Sequence, residues 1–191
     1  ENFTQSTDDV YAVRWSGGGG FGDPFDREYA QIKNDLEHYA ITAESAENIY
    51  GVVFDHNGHI DEAASTRKRE TTRKNRIIHT IKYEQRGQKA FEVSASINAF
   101  KKEGTYYWTC GKCSYELGNI DTNYKCRCLL ETRKIQESNR LINDPNRFID
   151  ALVEFRQFYC PACGALIENE ISLASDPILH DTAITKPDIV S

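Results

Sequence analysis

Two Cys-x-x-Cys pairs, Cys110-Gly-Lys-Cys113 and Cys160-Pro-Ala-Cys163-Gly164, constrain this chain more than any other feature. A pair at that spacing fits one tight turn, and two such knuckles supply the four thiolates of a closed tetrahedral site. The second has the Cys-Pro-x-Cys-Gly form, in which backbone N–H groups point at the sulfurs and Gly164 tolerates the sharp geometry. The spacing predicts a structural zinc ribbon with Cys110, Cys113, Cys160 and Cys163 as ligands. Such an ion has no position left for water or substrate, so it is expected to hold shape and not to catalyse. The stretch between the knuckles is long, but a helix and a strand of its own would ease closure.

Cys126 and Cys128 stand one residue apart. That spacing fits alternate faces of a strand and also metal ligation, in which case they could replace a knuckle. Because the two Cys-x-x-Cys pairs already complete a four-coordinate set, these two are expected as reduced thiols. Six cysteines used in this way point to a reducing compartment, and the cytoplasm is the expected location.

At 191 residues and 39% apolar, the chain holds one ordinary domain or two small ones. Its net charge of -6 repels polyanions, so nucleic acid is not an expected partner. The basic run RKRETTRKNR, residues 67–76, is expected as a solvated helix face in which Glu70 offsets part of the charge. No apolar run approaches the ~20 residues that span a bilayer, and no signal-peptide core precedes the first charges, so no membrane role is expected. The chain contains no methionine, and Glu1 is therefore expected not to be a native start.

The glycine-rich stretch WSGGGGFGDPFDREYA satisfies G-x-G-x-x-G through Gly17, Gly19 and Gly22. Gly22 is followed by Asp23-Pro24, and a residue before proline is pushed toward extended geometry, so no helix opens on the last glycine. A phosphate loop is not expected, and no cofactor-binding residue is assigned. His180 beside Asp181 could act as a base or a ligand but is expected as a surface residue. His38, His56, His59 and His79 show no partner pattern. Without a serine elbow, a Walker loop or H-E-x-x-H, no catalytic residue is assigned.

Periodicity divides the chain near residue 76. Before it, residues 11–15 read as extended, 26–39 as a helix with Tyr29, Ile32, Leu36 and Tyr39 on one stripe, and 43–49 as a helix capped by Thr42. GVVFD then reads as a strand, 55–60 as an Asn-Gly turn, and Asp61 as the cap of a helix to about Arg76. After it, RIIHTIKYE, KAFEVSASINAF and TYYWTC read as strands, with Phe91, Val93, Ala95 and Ile97 alternating. NDPNRFIDALVEFRQF reads as a helix with Asn143 or Asp144 as cap, Pro145 near its first position and Phe148, Leu152 and Phe155 on its buried stripe. A last strand pair is expected around YCPACG and ALIENEISL. The expected fold class is α+β: a helical, extended N-terminal segment plus a small β-rich zinc-ribbon domain with one main helix inserted between the knuckles.

Two segments carry a family resemblance. SGGGGFGDPFDRE, AITAESAENIYGVVFD and GHIDEAASTRKRE, within residues 11–69, resemble the extreme C-terminus of hydantoinase-B-type subunits in the acetone carboxylase, acetophenone carboxylase, hydantoinase and oxoprolinase superfamily. YYWTCGKC, EFRQFYCPACGALIENEI and DPILHD are similar to the zinc-containing gamma subunit of acetone carboxylase; the region of Cys126 and Cys128 departs from that pattern. The resemblance implies two units, a hydantoinase-B C-terminal-like docking segment at 1–76 and a gamma-like zinc-ribbon domain at 77–191. It makes the glycine run a structural turn. It further implies a hetero-oligomer with large hydantoinase A-type and hydantoinase B-type subunits, on which ATP and a further divalent metal would sit, forming a biotin-independent ketone carboxylase. The same role in a hydantoinase or oxoprolinase-type amidohydrolase, and a free-standing zinc-ribbon interaction module, are the alternatives.

Overall fold

A computed structural model describes residues 6–10, 22–84, 87–138 and 142–184 of the chain. The glycine run and the extended stretch expected at 11–15 lie outside the described residues. Asp23 opens the first ordered turn: its carboxylate accepts the Phe25 N–H at 2.9 Å and so caps a 3-10 turn at Pro24–Asp26. Arg27 and Glu28 remain extended, which delays α1 to Tyr29–Glu37 and makes it shorter than the expected helix. Ile32 is buried, whereas Tyr39 adopts φ 56°, leaves the helix and stands 94% exposed. Thr42 caps α2, Ala43–Asn48, by accepting the Ser45 N–H at 3.1 Å, and Asp61 caps α3, Glu62–Arg76, by accepting the Ala64 N–H at 2.8 Å. Between them the expected strand reduces to one bridge, Phe54 to Ile60, across the Asn-Gly turn, because among the described residues no second strand lies alongside to extend the ladder.

Ile32, Ala46 and Val52 form a small core with Tyr29, Leu36, Ile41, Tyr50, Phe54 and Ile60 packed around it. α3 meets this core without a single large aliphatic side chain; its buried residues are Ser65, Arg69 and Arg73. The expectation of a solvated basic face is therefore corrected. Arg69 donates to the carbonyls of Tyr50 (2.8 Å) and Arg27 (3.1 Å), and lies 4.4 Å over the Tyr29 ring. Burial depresses the Arg69 pKa, the direction expected of a guanidinium taken out of water. The cations turn inward because carbonyls and carboxylates from three separate stretches wait for them.

The second half is β-rich, in line with the α+β expectation. β1 (Gln88–Glu92), β2 (Ile97–Lys102), β3 (Thr105–Cys110) and β4 (Glu116–Asn119) form an antiparallel meander in that order. β5 (Leu129–Lys134), β6 (Val153–Tyr159) and β7 (Leu166–Leu173) form a second antiparallel sheet. Residues 77–84, expected as a strand, join no strand among the described residues and run as irregular chain. The expected single strand through 91–97 is instead a hairpin, since the Ser94 hydroxyl accepts the N–H groups of Ser96 and Ile97 and turns the backbone there. The larger core joins Ile97, Ala99, Trp108, Leu117, Ile120, Tyr124 and Ile167 with two of the cysteines, Cys110 and Cys160.

The helix expected between the knuckles is absent from the described residues. Its start signal is real: Asp144 accepts the Asn146 N–H at 3.1 Å and Pro145 holds the first position, but the 3-10 turn stops at Arg147. Phe148 and Leu152, the supposed buried stripe, are 74% and 60% exposed. From Val153 the period is two, with Arg156 and Phe158 on the inner face, and pairing to β7 from Val153 and to β5 from Glu154 outweighs local helix preference. No helix among the described residues is long and apolar enough to cross a membrane.

Candidate metal centre

β3 and β6 each run into one cysteine pair and deliver Cys110 and Cys160 to the core. The two turns are copies of one another. Cys110 donates its N–H to the Tyr115 carbonyl and accepts from Ser114, both at 2.9 Å; Cys160 donates to Ala165 and accepts from Gly164, both at 2.8 Å. Each turn closes on a left-handed residue directly after its second cysteine, Ser114 at φ 59° and Gly164 at φ 69°. The glycine announced this in the sequence; the serine did not, since it reaches the same region only at a cost that the two flanking hydrogen bonds offset.

The four sulfurs all lie within 4.8 Å of one another, with Cys110 to Cys163 at 3.8 Å and Cys113 to Cys160 at 3.6 Å. A tetrahedral ion with bonds of about 2.3 Å to sulfur requires sulfur edges of about 3.8 Å, so the spacing fits one ion held by four thiolates. Among the described residues no other His, Cys, Asp or Glu group is gathered in this way. Sulfurs this close share protons. The neighbouring sulfur of Cys113 pushes the Cys110 thiol up, while Cys110 and Cys160 hold Cys113 far below the usual thiol range. The sulfurs of Cys110, Cys113 and Cys163 push Cys160 up, and Cys163 is lowered by Cys110, by Cys160 and by the Ala165 N–H. The all-sulfur donor set, two of its members fully buried, suits a soft tetrahedral cation and offers nothing to a hard one.

Residues that carry no ligand grip both knuckles. Tyr83 donates its hydroxyl to the Cys113 carbonyl at 2.6 Å and meets Tyr115 edge to face at 5.1 Å. From α3, Arg76 donates to the Gly164 carbonyl at 3.0 Å and lies 4.2 Å over the Tyr159 ring. Asp23 accepts the Leu166 N–H at 3.1 Å and, on the same oxygen, Arg73 at 3.1 and 2.8 Å. Asp26 pairs with Lys112 of the first knuckle and with Arg73. Burial opposes the Arg73 charge, but Asp23 and Asp26 outweigh it and raise its pKa. Sequence reasoning missed these contacts. The signal was present in the spacing of Arg69, Arg73 and Arg76, which lie on one helical stripe, but a cationic stripe reads as solvent-facing.

Cys126 and Cys128 lie outside the group of four sulfurs. Cys126 is exposed; Cys128 donates to the Tyr124 carbonyl at 3.6 Å, and burial pushes its thiol up to about 12. His180 is exposed, while its neighbour Asp181 is engaged by Lys125 at 2.9 Å.

A family model described as acetone carboxylase gamma subunit matches residues 90–190, a span that holds all four clustered cysteines. The chain is also similar to the caprolactamase subunit beta of Pseudomonas jessenii, 45% identical over 49 residues. That match covers 26% of this chain and only 8% of the relative's length.

Proposed function

The chain belongs to the acetone carboxylase gamma subunit family, and from that membership we propose that it is a zinc-binding accessory subunit, or tail, of a multisubunit ATP-dependent, biotin-independent ketone carboxylase. The observation that carries this reading is the tetrahedral spacing of four thiols inside the matched span. Cys110, Cys113, Cys160 and Cys163 would hold the ion, whose thiolate bonds would stiffen a small domain with a modest core. The chain's own residues then act as scaffold. Cys110 and Cys160 fix the ends of β3 and β6, Gly164 and Ser114 close the turns, and residues 1–76 would be a docking segment of the hydantoinase-B C-terminal kind, whose Asp23, Asp26 and Arg76 reach both knuckles.

In this reading ATP, a further divalent metal and the bond-making chemistry belong to large hydantoinase A-type and B-type partners in the cytoplasm, where thiols stay reduced. The partial caprolactamase match favours a second reading, the same scaffold in a hydantoinase or oxoprolinase-type amidohydrolase. Purification of the native complex under mild conditions, followed by metal analysis and assay with labelled bicarbonate, tests both. One zinc per chain, two large co-purifying subunits and label in the product are expected for the carboxylase. Ring opening without label would support the amidohydrolase, and a lone monomer would count against both.

A further inference from the structure

Asp23 and the turn at Pro24–Asp26 that it caps touch both knuckles at once, although they supply no ligand to either. We propose that Asp23 couples the metal centre to the docking of the helical segment 23–76, so that a filled four-thiol site locks α3 in place and undocking of α3 loosens the metal. This inference rests on the metal-binding reading above and extends it to residues outside the ligand set.

The geometry has two sides. On the second knuckle, Asp23 takes the Leu166 N–H, and Arg76 takes the Gly164 carbonyl. The intervening backbone is the part that orients the sulfurs, because Ala165 accepts the Cys160 N–H and directs its own N–H at Cys163. On the first knuckle, Lys112, between the two cysteines, pairs with Asp26. Two carboxylates three residues apart thus hold one knuckle each, Asp23 the second and Asp26 the first. An ion bound by all four sulfurs, which lie within 4.8 Å of one another, would fix the separation of the two knuckles.

The mode of packing makes α3 sensitive to it. Apolar contact tolerates small shifts, but α3 is held by Arg69, Arg73 and Arg76 through hydrogen bonds that weaken steeply with angle and length. The Asp23 carboxylate is buried, with one oxygen spent on Phe25 and the other shared by Leu166 and Arg73, so a partner that drifts away leaves a buried acceptor short of a hydrogen bond, which is costly. Coupling of this kind is reciprocal: whatever the metal contributes to docking, docking returns to the metal.

The full-length chain loaded with zinc, its content fixed by metal analysis, provides the test. Zinc transfer to an excess of a chromogenic chelator is followed for the parent, Asp23→Ala, Asp23→Asn and Arg133→Ala, alongside amide hydrogen exchange of residues 62–76 and 88–102. Asp23→Ala is expected to release zinc about tenfold faster than the parent and to lose protection in α3. Asp23→Asn, which keeps an acceptor for Leu166, is expected to fall between, and Arg133→Ala to match the parent. Removing zinc from the parent is expected to raise exchange in 62–76 more than in 88–102. Equal zinc release by parent and Asp23→Ala, with α3 exchange raised, overturns the coupling and leaves the metal reading intact. A chain that takes up no zinc overturns both. Should Asp23→Ala fail to fold, Arg76→Ala reads the same rate, and unchanged release there is equally fatal.

Discussion

The α carbon of Gly164 lies directly against the backbone of Arg73: a Cβ at position 164 would come within 2.1 Å of the Arg73 carbonyl oxygen. One glycine therefore serves two constraints, the left-handed close of a cysteine turn and the seating of α3. Gly164→Ala is expected to destabilise the chain by well over the ~1–2 kcal/mol of a left-handed alanine alone. Gly58 makes the comparison, since it has φ 79° and nothing within 4 Å, so Gly58→Ala carries the backbone term without the clash. Denaturant midpoints of the two variants isolate the contact; equal losses would mean that α3 does not bear on the turn.

Replacement of the clustered thiols separates ligands from bystanders. Cys110→Ser or Cys160→Ser is expected to abolish stoichiometric zinc and to lower the thermal midpoint sharply, because metal affinity is folding free energy in a small domain. Cys126→Ser and Cys128→Ser are expected to retain about one zinc per chain. Metal analysis after gel filtration distinguishes the two sets, and zinc loss in Cys126→Ser would move the ligand set.

Lys125 lies wholly buried between Glu170 and Asp181, at 2.9 Å from each, while Arg156 reaches the other Glu170 oxygen at 3.1 Å. Lys125→Met leaves Glu170 with one cation fewer in a dry site and is expected to cost about 3 kcal/mol, near the lower end for breaking a buried pair, since Arg156 and the Leu179 N–H remain. Asp181 is a third exposed, so Asp181→Asn is expected to cost less. Equilibrium unfolding in urea gives both values.

Stability is expected to fall in alkali. Burial pushes the Tyr159 phenol up to about 12, and its hydroxyl donates to the Gln157 side chain at 3.0 Å. The unfolded phenol ionises near ~10, so its contribution is complete below that pH and is lost as pH rises toward 12. Lys125 acts in the same sense: burial opposes its charge, Asp181 and Glu170 outweigh burial, and the raised pKa adds stability that fades as pH climbs through the folded value. Unfolding midpoints measured between neutral and strongly alkaline pH check this, and Tyr159→Phe is expected to flatten the curve.

Local chemistry was legible wherever one residue decides a backbone turn. Thr42 and Asp61 cap the helices they announced, and the Asn-Gly turn at 55–60 is present. TYYWTC is β3, and the two cysteine pairs converge as their spacing required. The caps and the turn depend on hydrogen bonds within a few residues, which sequence distance alone specifies, and the cysteine pairs converge because paired Cys-x-x-Cys spacing is itself a metal-site pattern. Partners remote in the chain decided the rest. Asp144 and Pro145 started a helical turn as they should, yet β6 took the following residues because β5 and β7 flank it on both sides. Arg69, Arg73 and Arg76 turned inward because carbonyls and carboxylates met them there, as Asp23 meets Arg73 and Gly164 meets Arg76. A charged side chain is buried only where its counter-groups already stand, and that arrangement exists only once the chain has folded.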